Sequence, residues 1–377
     1  MQTLFMPYSL GAKLCFFNIF AKNINNYFMS KISICRNISE LQAHLPQDRK
    51  IFAIIDNNLK DYYRFFNNCY IIETPTGEKL KTLTTVEALT DRLLEAGADR
   101  SSFILGIGGG ITSDLTGFLA SVYKRGVDFA FVPTTLLSMC DAAIGGKNGV
   151  NFHGLKNMLG VIREPSAVII CPEFLRSLSI RQFRSGSAEV LKTFMIYDET
   201  YYRKAVDLFS RIASEGLEGK ADELVDIIGK CASYKQAVVA RDLNEHGERR
   251  LLNLGHSFAH AIESCGLSSE DNTVLAASGQ LSHGEAVAIG LALAARAAAI
   301  LHEAEPELEQ QIRKDLRSCG LPDSIEGLNL DESELCSAML KDKKVEGDSI
   351  HLILPRRIGE VIDLLYPVSQ LASLWKI

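Results

Sequence analysis

Three side chains stand out for the chemistry their types allow. Glu189 lies in Gly186-Ser-Ala-Glu-Val-Leu-Lys192, His256 in Asn253-Leu-Gly-His-Ser-Phe-Ala-His260, and His283 in His283-Gly-Glu-Ala-Val. One carboxylate and two imidazoles leave a coordination position open, which is the donor set of a catalytic zinc ion. The three are far apart along the chain, and a lone histidine is more often structural than a ligand. Of the eight histidines, His44, His153, His302 and His351 sit in ordinary contexts. His256 and His260 are one helical turn apart, so a helix here places both on one face.

A second set of residues points to anions. Phe103-Ile-Leu-Gly-Ile-Gly-Gly-Gly110 reads as the end of a strand, and Ser113-Asp-Leu-Thr-Gly117 as the opening of a helix. Glycines at Gly108, Gly109 and Gly110 let the backbone approach a pyrophosphate, and the helix start offers unpaired N–H groups. The pattern is not G-x-G-x-x-G, and tight packing alone also selects glycine at such turns. Asp56-Asn57 follows an apolar run and suits either a ribose hydroxyl or an Asx turn. Gly77-Glu-Lys-Leu-Lys81 reads as a solvated loop, and Pro133-Thr-Thr-Leu-Leu137 as a strand end. Asp141-Ala-Ala-Ile-Gly-Gly-Lys-Asn-Gly-Val-Asn151 reads either as a turn-rich surface loop or as a loop folded around an anion at Lys147. Arg125, Lys147, Lys156, Lys192, Lys235, Arg249 and Lys343 flank these segments; singly each is a surface charge, together they would build a pocket for a doubly anionic small molecule.

The chain that must position these groups has 377 residues, 47% apolar and 23% charged, which is globular composition and long enough for two domains. Its net charge of −6 gives no general footprint for nucleic acid or a membrane, so any basic pocket is built locally. Nine cysteines occur singly with no C-x-x-C pair, the pattern of reduced thiols in a cytoplasmic protein. Ile289 to Leu301 is apolar but carries Arg296, and reads as a buried helix. The G-x-S-x-G elbow and the G-K-[ST] loop are both missing, which removes serine-hydrolase and P-loop readings.

From Ile32 to about Cys171, short apolar runs alternate with amphipathic segments, which predicts a largely parallel α/β sheet of Rossmann-like type. After Pro172 helical spacing dominates, at Asp198 to Ala213, Lys220 to Ala240, Gly284 to His302 and Glu307 to Cys319. The expected division is residues 1–28 as an extension or a wrongly chosen start, 29–180 as the α/β nucleotide-binding domain, and 181–377 as a mainly α-helical metal- and substrate-binding domain. Catalysis would sit in the cleft between the halves.

Gly108-Gly-Gly, Asp114-Leu-Thr-Gly-Phe118, Tyr123-Lys-Arg-Gly126, Pro133-Thr-Thr-Leu-Leu137, Asp141 with Gly-Gly-Lys147, Lys156-Asn157, Ala188-Glu-Val-Leu-Lys192, Asn253 with His256 and His260, and His283-Gly-Glu285 occur in an order that resembles the 3-dehydroquinate synthase family. The resemblance runs from about Asp56 to Lys344. It implies an NAD- and Zn²⁺-dependent lyase, with Co²⁺ as an alternative metal, that turns 3-deoxy-arabino-heptulosonate 7-phosphate into 3-dehydroquinate and phosphate. In that chemistry a hydroxyl is oxidised, the adjacent C–H becomes acidic, phosphate leaves, and re-reduction, ring opening and an aldol closure follow.

By the same resemblance Glu189, His256 and His283 fall on metal ligands. Lys147, Asn157, His260 and Lys343 fall on phosphate contacts, with Arg125 reaching from the partner of a homodimer. Lys235 and Arg249 fall on the substrate carboxylate, and Asp141, Lys192 and Asn253 on its hydroxyls. Asp56, Asn57, Glu78, Lys81, Gly108 to Gly110, Asp114, Thr134, Thr135, Lys147 and Lys156 fall on the NAD side. Asp141, Lys147, Lys192, Asn253 and His260 would be the catalytic groups. Ser113, Asn148 and Arg250 depart from the family pattern without removing a required charge. The rivals are cyclases of sedoheptulose 7-phosphate or glucose 6-phosphate, which lack the carboxylate that Lys235 and Arg249 would hold, and a metal-dependent polyol dehydrogenase.

Overall fold

A computed structural model describes residues 29–268, 281–328, 330–340 and 345–375. Six strands form one parallel sheet: β1 (Lys31–Ile34), β2 (Ile51–Asp56), β3 (Cys69–Thr74), β4 (Phe103–Gly108), β5 (Asp128–Pro133) and β8 (Ala167–Ile170), in the order β1-β8-β5-β4-β2-β3. The central strands are buried along nearly their whole length, which is why they read as continuous apolar runs rather than as alternation. The expected α/β fold is present, with helices α1 (Leu83–Glu95) and α2 (Gly110–Val122) following β3 and β4.

The strand order creates the crevice. Adjacent β2 and β4 pair in register from Ile51↔Phe103, yet the chain leaves β2 toward β3 on one side and leaves β4 toward β5 on the other. Connections that diverge from neighbouring strands open a gap outside their carboxyl ends. Asp56 and the Gly108–Gly110 turn lie at that gap.

The segment after Asp141 is a difference from the sequence reading of a turn-rich loop. Lys147–Phe152 (β6) and Leu155–Ile162 (β7) form an antiparallel two-stranded ribbon. His153 and Gly154 between them both have positive φ, 48° and 80°, as a two-residue hairpin turn requires. Buried Asn148 anchors the ribbon: its amide donates to Gly146 O at 2.8 Å and Arg163 O at 2.9 Å, and its side chain fills the space over Gly117 of α2.

Beyond residue 180 the chain is mainly helical, as expected: α3 (Ile180–Tyr197), α4 (Glu199–Glu215), α5 (Ala221–Arg241), α6 (His256–Ser268), α7 (His283–Ile300), α8 (Pro306–Ser318), α9 (Glu332–Leu340) and the short α10 (Ala372–Trp375). A three-stranded antiparallel sheet of β9 (Val345–Glu346), β10 (Ser349–Arg357) and β11 (Glu360–Pro367) completes it. Only the strand over Ser349 to Leu354 had a β-branched signature in the sequence. Helix α7 is long and apolar enough to cross a membrane by length and composition, but 72% of it is buried inside the protein. It is a core helix, packed on α3, α6 and α8. The cysteines among the described residues are free thiols, most of them buried.

Candidate active site

Helix α7 and two of the helices packed on it, α3 and α6, deliver the three proposed ligands. Glu189 projects from the middle of buried α3 and is 1% exposed. His256 opens α6 directly after Gly255, whose φ of 76° turns the chain into the helix. His283 opens α7 behind the cap of Ser282, whose hydroxyl and backbone N–H exchange hydrogen bonds with Glu285. Arg181 clamps Glu285 with two hydrogen bonds of 2.8 and 2.7 Å, which ties this helix start to α3.

The ligand atoms of Glu189, His256 and His283 all lie within 4.8 Å of one another. His256 Nε2 and His283 Nε2 stand 3.6 and 3.3 Å from Glu189 Oε1, and the Lys192 ammonium lies against Oε2. Both Glu189 oxygens are buried, and neither meets a donor in hydrogen-bonding geometry. Lys192 offsets part of the cost of burying this charge from the Oε2 side, which leaves Oε1 turned to the two imidazoles, where a metal cation would complete it. Burial would raise the Glu189 carboxyl, but Lys192, His256 and His283 overcome it and hold it well below the usual range. Burial likewise pulls His283 down, while Glu189 and Glu263 lift its imidazolium to about 10. One carboxylate oxygen facing two imidazole nitrogens is a donor set that fits a divalent ion of the zinc or cobalt kind.

Next to this cluster lies a buried charge network. Lys235 Nζ, from α5, donates to Asp141 O at 2.6 Å and ion-pairs with the Asp141 carboxylate. Burial would raise Asp141, but Lys235 and Lys192 hold it below its ordinary value. Burial also lowers Lys235, and Lys192 and Arg249 reinforce the effect against Asp141. Lys192 is raised instead, because Glu189 and Asp141 outweigh its burial. Arg249 is 3% exposed and is held by two backbone carbonyls, Leu243 O at 2.7 Å and Gly145 O at 3.1 Å. Gly145 sits at φ 102°, and a Cβ there would lie 2.7 Å from Arg249 Nη2.

Lys147 and Asn253 converge on a residue that the sequence reading passed over. The Lys147 ammonium ion-pairs with Glu245, and Asn253 Nδ2 donates to Glu245 Oε1 at 2.6 Å. Burial would raise Glu245, yet Lys147 and Asn253 hold it low. Glu245 adopts φ 61°, and no local pattern announces it. His260 packs its ring on that of His256, with centroids 5.5 Å apart. Glu263 was also missed: it lies one turn beyond His260 on the same face of α6, a spacing that could have revealed it, and bonds His283 Nδ1 at 3.1 Å.

The predicted nucleotide residues gather at the carboxyl edge of the sheet. Buried Lys81 ion-pairs with Asp114 and donates to Asn157 Oδ1 at 2.6 Å, while Glu78 accepts from Asn151 Nδ2 at 2.8 Å. Asn157 thus stands with Lys81 and Asn151 rather than beside Lys147, which faces Glu245. Asp56 caps the following turn by accepting from Asn58 N at 2.8 Å, the Asx-turn reading, and Asn57 comes next. Thr134 N donates to Gly108 O at 2.9 Å, and the Thr135 methyl packs over Gly109. Gly108 has a packing reason too, because a Cβ would meet Thr112 Cβ at 2.7 Å. The cap residue of α2, Gly109, brings no side-chain acceptor, so the first N–H groups of α2 face the crevice uncapped.

Three predicted residues stand apart from these groups. Lys156 reaches toward the metal cluster through Glu263, 3.5 Å away. Arg125 is exposed in a turn where Lys124, Arg125 and Gly126 all have positive φ. Lys343 lies outside the described residues.

A parallel α/β sheet with an open switch-point crevice is thus joined to a mainly helical unit carrying a candidate metal centre of one carboxylate and two imidazoles beside buried lysines. The family model for the 3-dehydroquinate synthase N-terminal region matches residues 71–185, and that for its C-terminal region matches 186–345. The chain is 35% identical to a 3-dehydroquinate synthase from Prochlorococcus marinus (strain MIT 9312), over 89% of this chain and 92% of that one. In fold it is similar to 2-epi-5-epi-valiolone synthase of Streptomyces hygroscopicus, solved with NAD⁺ and Zn²⁺ bound, with a TM-score of 0.77 and 24% identity over 92% of this chain and 95% of that one. It is also similar to 2-deoxy-scyllo-inosose synthase solved with carbaglucose-6-phosphate, NAD⁺ and Co²⁺, with a TM-score of 0.76 and 23% identity over 91% and 95% of the two chains. The chain belongs to the 3-dehydroquinate synthase family, and its activity is the conversion of 3-deoxy-arabino-heptulosonate 7-phosphate to 3-dehydroquinate and phosphate.

Proposed function

We propose that this chain carries out that conversion as an NAD- and divalent-metal-dependent, phosphate-eliminating lyase, and that Glu189, His256 and His283 hold the metal. The observation that carries the reading is the buried Glu189 carboxylate, paired with Lys192 at Oε2 and turning Oε1 to two imidazole Nε2 atoms. When bound, NAD supplies a hydride acceptor regenerated within the turnover, and the metal supplies Lewis acidity toward an alcohol oxygen. The rest is binding and orientation by the chain's own residues. Lys235 and Arg249 hold the substrate carboxylate, Arg249 with the guanidinium edge that its two carbonyl partners leave over. Asp141, Lys192 and Asn253 hold hydroxyls beside the metal ligands, and His260 and Lys147 face the phosphate end, with Lys343, outside the described residues, assigned to the same end. The elimination can use the substrate's own phosphate as proton acceptor, so the site needs cations more than it needs a general base.

NAD lies in the crevice between β2 and β4, with Asp56 and Asn57 on one side, the uncapped start of α2 at Gly108 to Gly110 under the pyrophosphate, and Glu78, Lys81, Asp114, Thr134, Thr135 and Lys156 around it. Asn157 joins this group through Lys81 and reaches the phosphate from the ribbon. The division falls near residue 180, with 29–180 binding nucleotide and 181–377 binding metal and substrate. The protein is cytoplasmic and homodimeric, with Arg125 completing the partner's site. Apolar side chains exposed on the ribbon, Phe152, Leu155, Met158 and Ile162, support a subunit contact there.

Phosphate release from metal-replete protein with 3-deoxy-arabino-heptulosonate 7-phosphate and catalytic NAD⁺, followed together with NADH absorbance, tests this reading. Many turnovers per NAD⁺ without NADH build-up are expected, and no turnover of sedoheptulose 7-phosphate. Stoichiometric NADH would mean a dehydrogenase, and preference for sedoheptulose 7-phosphate would remove the carboxylate role of Lys235 and Arg249.

A further inference from the structure

The two ring nitrogens of His283 face different carboxylates. Nε2 points to Glu189 Oε1 at 3.3 Å, and Nδ1 lies 3.1 Å from Glu263 Oε1. His256 differs, because its Nδ1 faces the backbone oxygen of Leu254 at 3.3 Å. Glu263 belongs to α6, on the face of His256 and His260, so one helix supplies a ligand and also reaches across to the ligand on α7. Its side chain is 13% exposed, and its other oxygen stands 3.5 Å from Lys156 Nζ of the ribbon.

We propose that Glu263 is the positioning carboxylate of the metal centre. It accepts the Nδ1–H of His283 and thereby fixes the ring orientation, so that a metal displacing the Nε2 proton would meet the Nε2 lone pair between Glu189 and His256. A carboxylate behind a ligating imidazole also raises its basicity, an effect worth roughly ten- to a hundredfold in metal affinity where it has been removed. Glu263 touches neither substrate nor cofactor in this role and acts only through His283. Lys156 is a second claimant on the same carboxylate, so the ribbon that flanks the nucleotide crevice is wired to a metal ligand through one side chain.

The inference rests on the metal reading of Glu189, His256 and His283, and its test separates the two. Metal-stripped full-length protein is titrated with Zn²⁺ and with Co²⁺ against a chromogenic chelator, without nucleotide, and the visible spectrum of the Co²⁺ form is recorded. Glu263→Gln keeps the volume and an acceptor oxygen and is expected to weaken binding about tenfold, and Glu263→Ala by up to about a hundredfold, with altered Co²⁺ bands in both. Lys156→Met is expected to leave affinity unchanged or tighter, because it frees Glu263 for His283. Melting of the metal-stripped variants reports folding; where Glu263→Ala does not fold, Glu263→Gln carries the test. Glu263 variants that bind within twofold of the parent with unchanged Co²⁺ bands overturn the positioning role, as does Lys156→Met weakening binding as much as Glu263→Gln. A parent that binds neither ion, or His256→Ala binding like the parent, overturns the metal reading itself and this proposal with it.

Discussion

Gly284→Ala probes the spacing of the helices that carry two of the ligands. Gly284 follows His283 at the start of α7 and lies against Ser185, one turn before Glu189 on α3. A Cβ at Gly284 would sit 2.7 Å from Ser185 Cα and closer still to the Ser185 carbonyl. Carbon atoms in contact stand at about 3.5 to 4.0 Å, so the two backbones must part by roughly 1 Å. No flexible side chain can absorb the shift, and the Gly284 N–H bond to Ser185 Oγ, now 3.1 Å, is stretched with it. Overpacking of this kind costs about 1–3 kcal/mol, against the roughly 0.5–1 kcal/mol that alanine gains over glycine inside a helix. Metal–ligand distances tolerate only about 0.2 Å, so moving His283 away from Glu189 is expected to weaken Zn²⁺ binding at least tenfold. The assay is Zn²⁺ affinity by chelator competition together with thermal melting, on Gly284→Ala and on Gly216→Ala. Gly216 ends α4 at φ 84° with nothing within 4 Å, so its substitution strains the backbone without touching the cluster. Equal Zn²⁺ affinity in the parent and in Gly284→Ala would refute the argument that helix spacing sets the ligand geometry.

Two other perturbations follow from the cited contacts. Burial outweighs the Lys81 ion pair and lifts the Asp114 carboxyl to about 6 in the folded chain, against about 3.9 when unfolded. The unfolded chain then loses its proton first, so this group's contribution to stability falls as pH rises from about 4 to 6 and is level above. Relative to Asp114→Asn, the parent should lose about 2–3 kcal/mol across that window, read by denaturant unfolding at a series of pH values; a pH-independent difference would sink the claim. On the ribbon, Met158 and Ile162 share one face of β7 and are 48% and 53% exposed. Met158→Glu with Ile162→Glu is expected to convert the proposed dimer to monomer in sedimentation velocity; a dimer that persists would move the subunit contact elsewhere, and a monomeric parent would remove it.

Local chemistry explains what could be read in advance. β2, β4 and β5 announce themselves because buried parallel strands need unbroken apolar runs, and α4, α5, α7 and α8 because their apolar spacing and helix formers agree. The ribbon did not, since its turn depends on positive φ at His153 and Gly154, and its alternation is broken by the glycines that let its two backbones approach. Glu189, His256 and His283 were legible as residue types within recognisable motifs, not as neighbours. Motif order places Asn157 at the phosphate, whereas its bond to Lys81 depends on the hairpin, which the sequence pattern does not show. Glu245 carries no signal, because its meaning lies in Lys147, 98 residues away, and in Asn253, which is eight residues on and in no recognisable spacing with it.

The sequence by itself therefore determined the kinds of chemistry within reach: glycine turns for anions, nitrogen and carboxylate donors for a metal, and lysines and an arginine for an acid. Motif order alone also carried the family. Tertiary structure decided which of those groups meet. Three helices packed at Gly284 on Ser185 and at Gly290 on Gly255 bring the donors to within 4.8 Å, and the same packing buries Glu189 and gives His283 its second carboxylate. Donor strength and spacing in a cluster depend on burial and on neighbours contributed by other elements, and those exist only once the chain has folded.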